Sequence, residues 1–167
     1  CLNLDRLPAM KKLGLIGGVA WPSTADYYRL LCEETIVRYR ANGGQGIIPI
    51  PPMTIESLVM AETRALRGTP GDEHSWSAFD AVFRDAFHRL AAAGCEVGAM
   101  ASNTPHMRLH AIREGVDIPI ISIVDEVVRH TAQAGFTSAR VFGTSVTMRS
   151  GEYDASLKQR GVTALPI

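Results

Sequence analysis

The sequence predicts an α/β protein whose mainly parallel sheet is covered by helices on both faces. This expectation rests on three features of the chain. Apolar runs alternate with longer segments of helical period. Most runs stop at a glycine or a small polar cluster just before the next helix, as a strand-helix-strand crossover requires. The 167 residues are 46% hydrophobic and 20% charged, enough for one sizeable core or two small lobes.

The first strand is expected over 12–16, ending at Gly17-Gly18. A helix over about 23–40 follows, with Tyr28, Leu31, Cys32, Thr35, Ile36 and Tyr39 on one face and Ser23 as its N-cap. After a glycine-rich turn at 43–46, Ile47-Ile48-Pro49-Ile50 reads as a short strand that Pro49 confines to an edge. Next come a helix over about 54–66, a Gly/Pro loop at 67–72 and a helix over about 75–93. That last helix carries Phe79, Val82, Phe83, Ala86, Phe87 and Leu90 on one face, a core stripe rather than a cofactor box. The third strand is 97–101, followed by a helix over about 105–114 in which Pro105 suits the first turn. The fourth strand is 118–123, with a helix over 125–133. The fifth strand, 139–143, leads to a helix over about 150–160. Residues 162–165 begin a sixth strand with no covering helix after it, so the sheet reads as unfinished.

Composition narrows the function. Lys plus Arg and Asp plus Glu number 17 each, and no basic run alternates with aromatics, which argues against a nucleic-acid partner. No stretch is long and apolar enough to suggest a membrane partner. Cys1, Cys32 and Cys95 follow no metal or disulfide spacing, so free thiols in a reducing cytoplasm are expected, with Cys32 and Cys95 as packing residues and no metal site. Residues 1–9 lack the order of a signal peptide and read as an N-terminal extension ahead of a natural start at Met10.

The most informative stretch is 99–106, where an apolar strand ends in Ser102, Asn103, Thr104 and His106 just before a helix. Two other strand ends, Gly17 to Thr24 and Gly143 to Thr147, likewise place backbone amides and small hydroxyls at helix starts. Converging helix N-termini hold a carboxylate or phosphate through N–H donors and dipoles. A dinucleotide fingerprint is not present, because Ala20 and Trp21 stand where G-x-G-x-x-G needs its later positions, and no glycine-lysine-serine/threonine triplet follows a strand. Capping alone is the competing account of these serines, threonines and asparagines.

Taken together, LGLIGGVAWPSTADYY at 13–28, SNTPH at 102–106 and GTSVT at 143–147 with Tyr153 after it resemble the aspartate/glutamate racemase family. Its members read G-G-M-x-x-x-x-S/T-x-x-Y-Y, C/T-N-T-x-H and G-T-x-x-T in that order. The resemblance covers residues 10–167. It implies cofactor-free, metal-free racemases of two similar α/β lobes, here a first lobe over 10–125 and an incomplete second lobe over 126–167. Inverting a Cα centre takes two acid/base groups facing each other across the carbon, in this family usually cysteines whose pKa of about 8.5 is readily lowered by helix N-termini. The first maps onto Ser102, whose hydroxyl needs a neighbouring base, and His106 is the candidate. Some relatives carry threonine there. The second thiol belongs to a G-C-T-E-like motif that is expected to lie beyond Ile167, the chain being truncated before it.

By the same resemblance, Asn103 and Thr104 bind the substrate α-carboxylate, Thr144, Ser145 and Thr147 complete the cradle, and Trp21 and Ser23 form the pocket wall and cap. Pro22 departs from relatives that carry glutamate in G-G-M-S-W-E-S-T. Arg64, Arg67, Arg149 and Lys158 are candidates for a substrate side-chain carboxylate. The expected activity is proton transfer at Cα of a small acidic amino acid such as aspartate or glutamate. The alternatives are a catalytically inactive fragment or carboxylate binder, and an enzyme like hydantoin racemase, maleate isomerase or arylmalonate decarboxylase. The expected partner is a small carboxylate or amino acid, with a homodimer suggested by apolar surface on the unfinished lobe.

Overall fold

The computed structural model describes residues 10–48 and 50–166. Four strands, β1 (Leu13–Gly17), β2 (Met53–Ser57), β3 (Val97–Met100) and β4 (Ile120–Ile121), form one sheet in the order β2-β1-β3-β4. Every neighbouring pair is parallel, with Leu13 opposite Met53 on one side and Val97 on the other. A separate parallel pair, β5 (Ser138–Ala139) and β6 (Thr163–Ala164), follows. The helices are α1 (Trp21–Ala41), α2 (Met60–Ala65), α3 (Ser77–Ala92), α4 (Leu109–Ile112), α5 (Ile123–Gln133), α6 (Ser145–Arg149) and α7 (Glu152–Gln159). None of the described helices is long and apolar enough to cross a membrane.

One face of the sheet is closed by α3. Phe79, Phe83, Phe87, Ala86 and Leu90 recur every three or four residues, so they fall on one stripe. All are buried, against Ile16 and Met100 of the strands and Leu109 and Ile112 of α4. Burying each large side chain contributes about 1.5–3 kcal/mol relative to exposure. A 3₁₀ turn (Glu73–Trp76), capped by Asp72, leads into α3. It brings Trp76 edge-on to Phe79, with ring centroids 5.4 Å apart. Below that pair lies a buried ion pair. The Arg108 Nε donates to both Asp80 oxygens at 3.1 and 3.3 Å, a terminal nitrogen adds a bond of 2.7 Å, and another reaches Glu73. The guanidinium also lies 5.7 Å from the Trp76 ring centroid. The opposite face of the sheet is thinner: Leu15, Ala99 and Ala101 meet Leu13 and Tyr27, and α1 buries no side chain fully.

A second cluster, Val124 and Val128 of α5, Tyr153 and Leu157 of α7 and Val162, packs around the β5–β6 pair.

Several elements differ from the sequence expectation. The second strand is 53–57 rather than 47–50: Ile47, Ile48 and Ile50 belong to no strand, and Pro49 lies outside the described residues, as do 1–9. Prolines at 51 and 52 have no N–H to pair, but the Pro52 carbonyl still accepts from the Leu13 N–H at 3.0 Å, so pairing starts there. The expected helix over 54–66 accordingly shrinks to α2, its first part being β2. Ser23 does not cap α1, because the helix begins earlier, with Ala20 at the cap and Pro22 in the first turn. The helix expected after Pro105 is a 3₁₀ turn (Thr104–Arg108) followed by the single turn of α4. The helix expected over 150–160 is α7, and a further short helix, α6, precedes it; Gly151, with φ of +73°, separates the two. The fourth, fifth and sixth strands are each reduced to two paired residues.

Candidate active site

Because all four strands of the first sheet are parallel, their carboxyl ends share one edge. From β1 the chain crosses to β2 on one side, then returns past β1 to β3 on the other. The gap between the ends of β1 and β3 is therefore the switch point at which open α/β sheets take ligands. Gly17 to Ala20 form one bank and Ala101 to Thr104 the other, joined at the base where the Ala101 N–H donates to the Ile16 carbonyl at 2.9 Å.

The first bank is shaped by Gly18 and Thr24. Gly18 has φ of +79°, and a Cβ there would lie 2.1 Å from the Leu58 carbonyl oxygen, so only glycine lets the turn pass the end of β2. The Gly18 N–H donates to the Thr24 hydroxyl at 3.0 Å, and that hydroxyl donates to the Ala20 carbonyl at 3.4 Å. Thr24, one residue beyond the expected cap, thus holds the loop. Ser23 is half-buried beside it. Trp21, at the head of α1, is 74% exposed.

On the second bank, Ser102 is half-buried and Asn103 exposed, while Thr104 and His106 are buried. The Asn103 Oδ1 accepts from the Tyr153 hydroxyl at 2.6 Å, a contact across 50 residues that ties α7 to the end of β3. The His106 Nδ1 sits 2.8 Å from the Ser102 carbonyl oxygen. The ring thus engages the Ser102 backbone, and among the described residues no hydrogen bond joins it to the Ser102 hydroxyl. Burial pulls the His106 pKa below its ordinary value, against the opposing pull of the Ser102 and Ile121 carbonyls and the Asp125 charge. The Nε2 is buried without a hydrogen-bond partner. His106 lines a cavity of about 200 Å³ with Ser122, Asp125, Glu152 and Ser156.

The third strand end behaves mainly as a cap. The Thr144 Oγ1 accepts from the Thr147 N–H at 3.3 Å and lies 3.2 Å from the Thr147 hydroxyl, which starts α6 beside the 3₁₀ turn of the second bank. Ser145 is exposed in the first turn, where its carbonyl accepts from the Arg149 Nε at 3.2 Å. Arg64, Arg149 and Lys158 are exposed. Arg67 is half-buried, and burial together with the neighbouring Arg64 charge lowers its pKa. Cys95 is buried and Cys32 half-buried, both as free thiols. Among the described residues, no group of three or more His, Cys, Asp or Glu is placed to hold a metal ion.

Sequence reasoning missed what Thr24, Tyr27 and Tyr153 do. Burial raises the hydroxyl pKa values of both Tyr27 and Tyr153, with Tyr27 adding to the effect on Tyr153. Two tyrosines in the quoted motifs were the available signal, but a contact across 50 residues has no local pattern.

Fold and site together define an open parallel α/β protein with two polar loops flanking its switch point. Residues 16–165 match the family model for Asp/Glu/hydantoin racemases, and the chain belongs to that family. Among solved structures, it is similar to a provisionally assigned Asp/Glu racemase from Yersinia pestis, with 27% identity over 93% of this chain and a TM-score of 0.78. It is also similar to an aspartate racemase homologue from Pyrococcus horikoshii, with 28% identity over 95% of this chain and a TM-score of 0.74. The aspartate racemase of Picrophilus torridus, 17% identical over 93% of this chain and 62% of its own, shares the fold with a TM-score of 0.72. The chain spans 64% of the Yersinia protein and 65% of the Pyrococcus protein.

Proposed function

We propose that the protein acts as an amino-acid racemase of this family, moving the Cα proton of a small acidic amino acid such as aspartate or glutamate without a cofactor. The observation that carries the reading is the placement of Ser102, Asn103 and Thr104 at the end of β3, against the Gly17-Gly18 turn of β1, in a protein of this family. Asn103 and Thr104 hold the α-carboxylate through N–H and O–H donors, with Thr144, Ser145 and Thr147 on the side of α6. Ser102 stands at the proton-transfer position on one face of Cα. Its hydroxyl is a poor acid and a poor base unless a neighbour takes its proton. His106, whose pKa is lowered by burial, contacts the Ser102 backbone through Nδ1 and so holds the Ser102 loop in place.

The experiment is incubation with L- and D-aspartate and L- and D-glutamate in D₂O, followed by NMR of the Cα position. Exchange of one enantiomer without inversion identifies a single working face, and exchange with inversion identifies both. Binding without any Cα deuterium sinks the enzyme reading. It leaves the second reading, a carboxylate binder without turnover, which is favoured by the serine at a position where the family usually carries cysteine.

A further inference from the structure

We propose that Tyr153 is a positioning residue that sets which end of the Asn103 carboxamide is free for a ligand, and thereby makes the site select a carboxylate over a neutral amide. The inference rests on the reading of Asn103 given above and deepens it. A carboxamide has an acceptor end and a donor end of nearly the same shape, so its position alone does not say whether it attracts an anion or repels one. The Tyr153 hydroxyl resolves this by donating to Oδ1 at 2.6 Å. The oxygen is taken up on the α7 side. Asn103 is exposed, and its Nδ2 donates to no partner among the described residues, so the donor end is the one free for a ligand.

The opposite orientation is disfavoured by the tyrosine rather than by the asparagine. Tyr153 is 7% exposed and packs in the second cluster with Val124, Val128, Leu157 and Val162. If the carboxamide turned over, its NH₂ would meet the phenolic oxygen, and the buried O–H would lose its acceptor. Burial and the nearby Tyr27 keep Tyr153 protonated, so it remains the donor. The selection is thus made in the second cluster and read out at the end of β3. Phenylalanine at 153 keeps the ring in its packing and removes only the hydroxyl.

Two arms test the proposal. Without ligand, the protein is labelled with [Cζ-¹³C]tyrosine and studied by NMR in mixed H₂O and D₂O. A hydrogen-bonded, slowly exchanging Tyr153 hydroxyl gives two Cζ signals, which merge into one in Asn103→Ala. One averaged signal in the unsubstituted protein overturns the proposal, whatever the ligand arm gives. In the ligand arm, calorimetry compares L-aspartate with its α-carboxamide, isoasparagine. Tyr153→Phe is expected to weaken L-aspartate binding about tenfold, while isoasparagine binding holds or improves. An equal loss for both ligands shows a merely structural role and overturns the proposal. If the unsubstituted protein gives two Cζ signals yet binds neither ligand, the racemase reading falls, and carboxylate selection by Tyr153 falls with it.

Discussion

The two hydrophobic clusters solve the same packing problem at different scales. Beneath α3, three phenylalanines, a tryptophan and a buried Arg108–Asp80 pair close a four-stranded sheet. Around β5 and β6, five buried side chains serve a sheet of two residues per strand. The difference teaches where rigidity and adjustment reside. The bank that begins at β3 grows from the stronger cluster, while Tyr153, which orients Asn103 on that bank, belongs to the weaker one.

The sharpest way to break this comparison is to damage the larger cluster. Phe83→Ala is expected to cost about 4 kcal/mol, seen in urea unfolding as a loss of structure throughout the chain. A smaller transition confined to α5 and α7 would contradict the assigned hierarchy. Asp80→Ala comes next, at about 3 kcal/mol by the same measurement, because it leaves a buried guanidinium with only the exposed Glu73 as a charged partner. Leu157→Ala, at about 2 kcal/mol, should strip hydrogen-exchange protection from α5, α7 and β6 and spare β1 and β3. Equal loss in both regions would make them one cooperative unit.

The smallest effect falls at the seam, where His106 lies beneath Ser122, Glu152 and Ser156. Its folded pKa is lowered, so the unfolded chain binds the proton more readily. The associated stability is present above the unfolded histidine value of about 6.5 and is lost as the pH falls from there through the lower folded value. Denaturation midpoints measured between pH 7.5 and 5 should therefore fall with acid, and less steeply in His106→Gln. Matching slopes would remove His106 from the seam's pH response.

Much of this arrangement was legible in the chain. The runs at β1 and β3 are apolar, short and closed by small residues, and the phenylalanine stripe on α3 repeats at helical spacing, so local pattern and tertiary role agree. The misplaced second strand shows the limit. Ile47, Ile48 and Ile50 have strand propensity but no partner, whereas Met53 to Ser57, with less apolar character, obtain theirs from β1. Propensity at an edge is overruled by what the neighbour offers. The site divides in the same way. Ser102, Asn103 and Thr104 follow from position at a strand end, while the Tyr153 contact depends on a turn at Gly151 and a cluster assembled from distant segments.

The register of β1 with β3 carries a consequence for how the chain folds. Leu13 finds Val97 only after a loop of 84 residues has closed, whereas Ser138 and Thr163 are separated by 25. Loop-closure entropy makes the longer search costlier by about 1 kcal/mol, before any of the aromatic packing can reward it. The β5–β6 pairing is therefore the less costly to close, and β3, although its β4 partner lies only 22 residues away, gains its β1 neighbour at the larger cost. The gap between the ends of β1 and β3 reaches working shape only when that long-range pairing has closed.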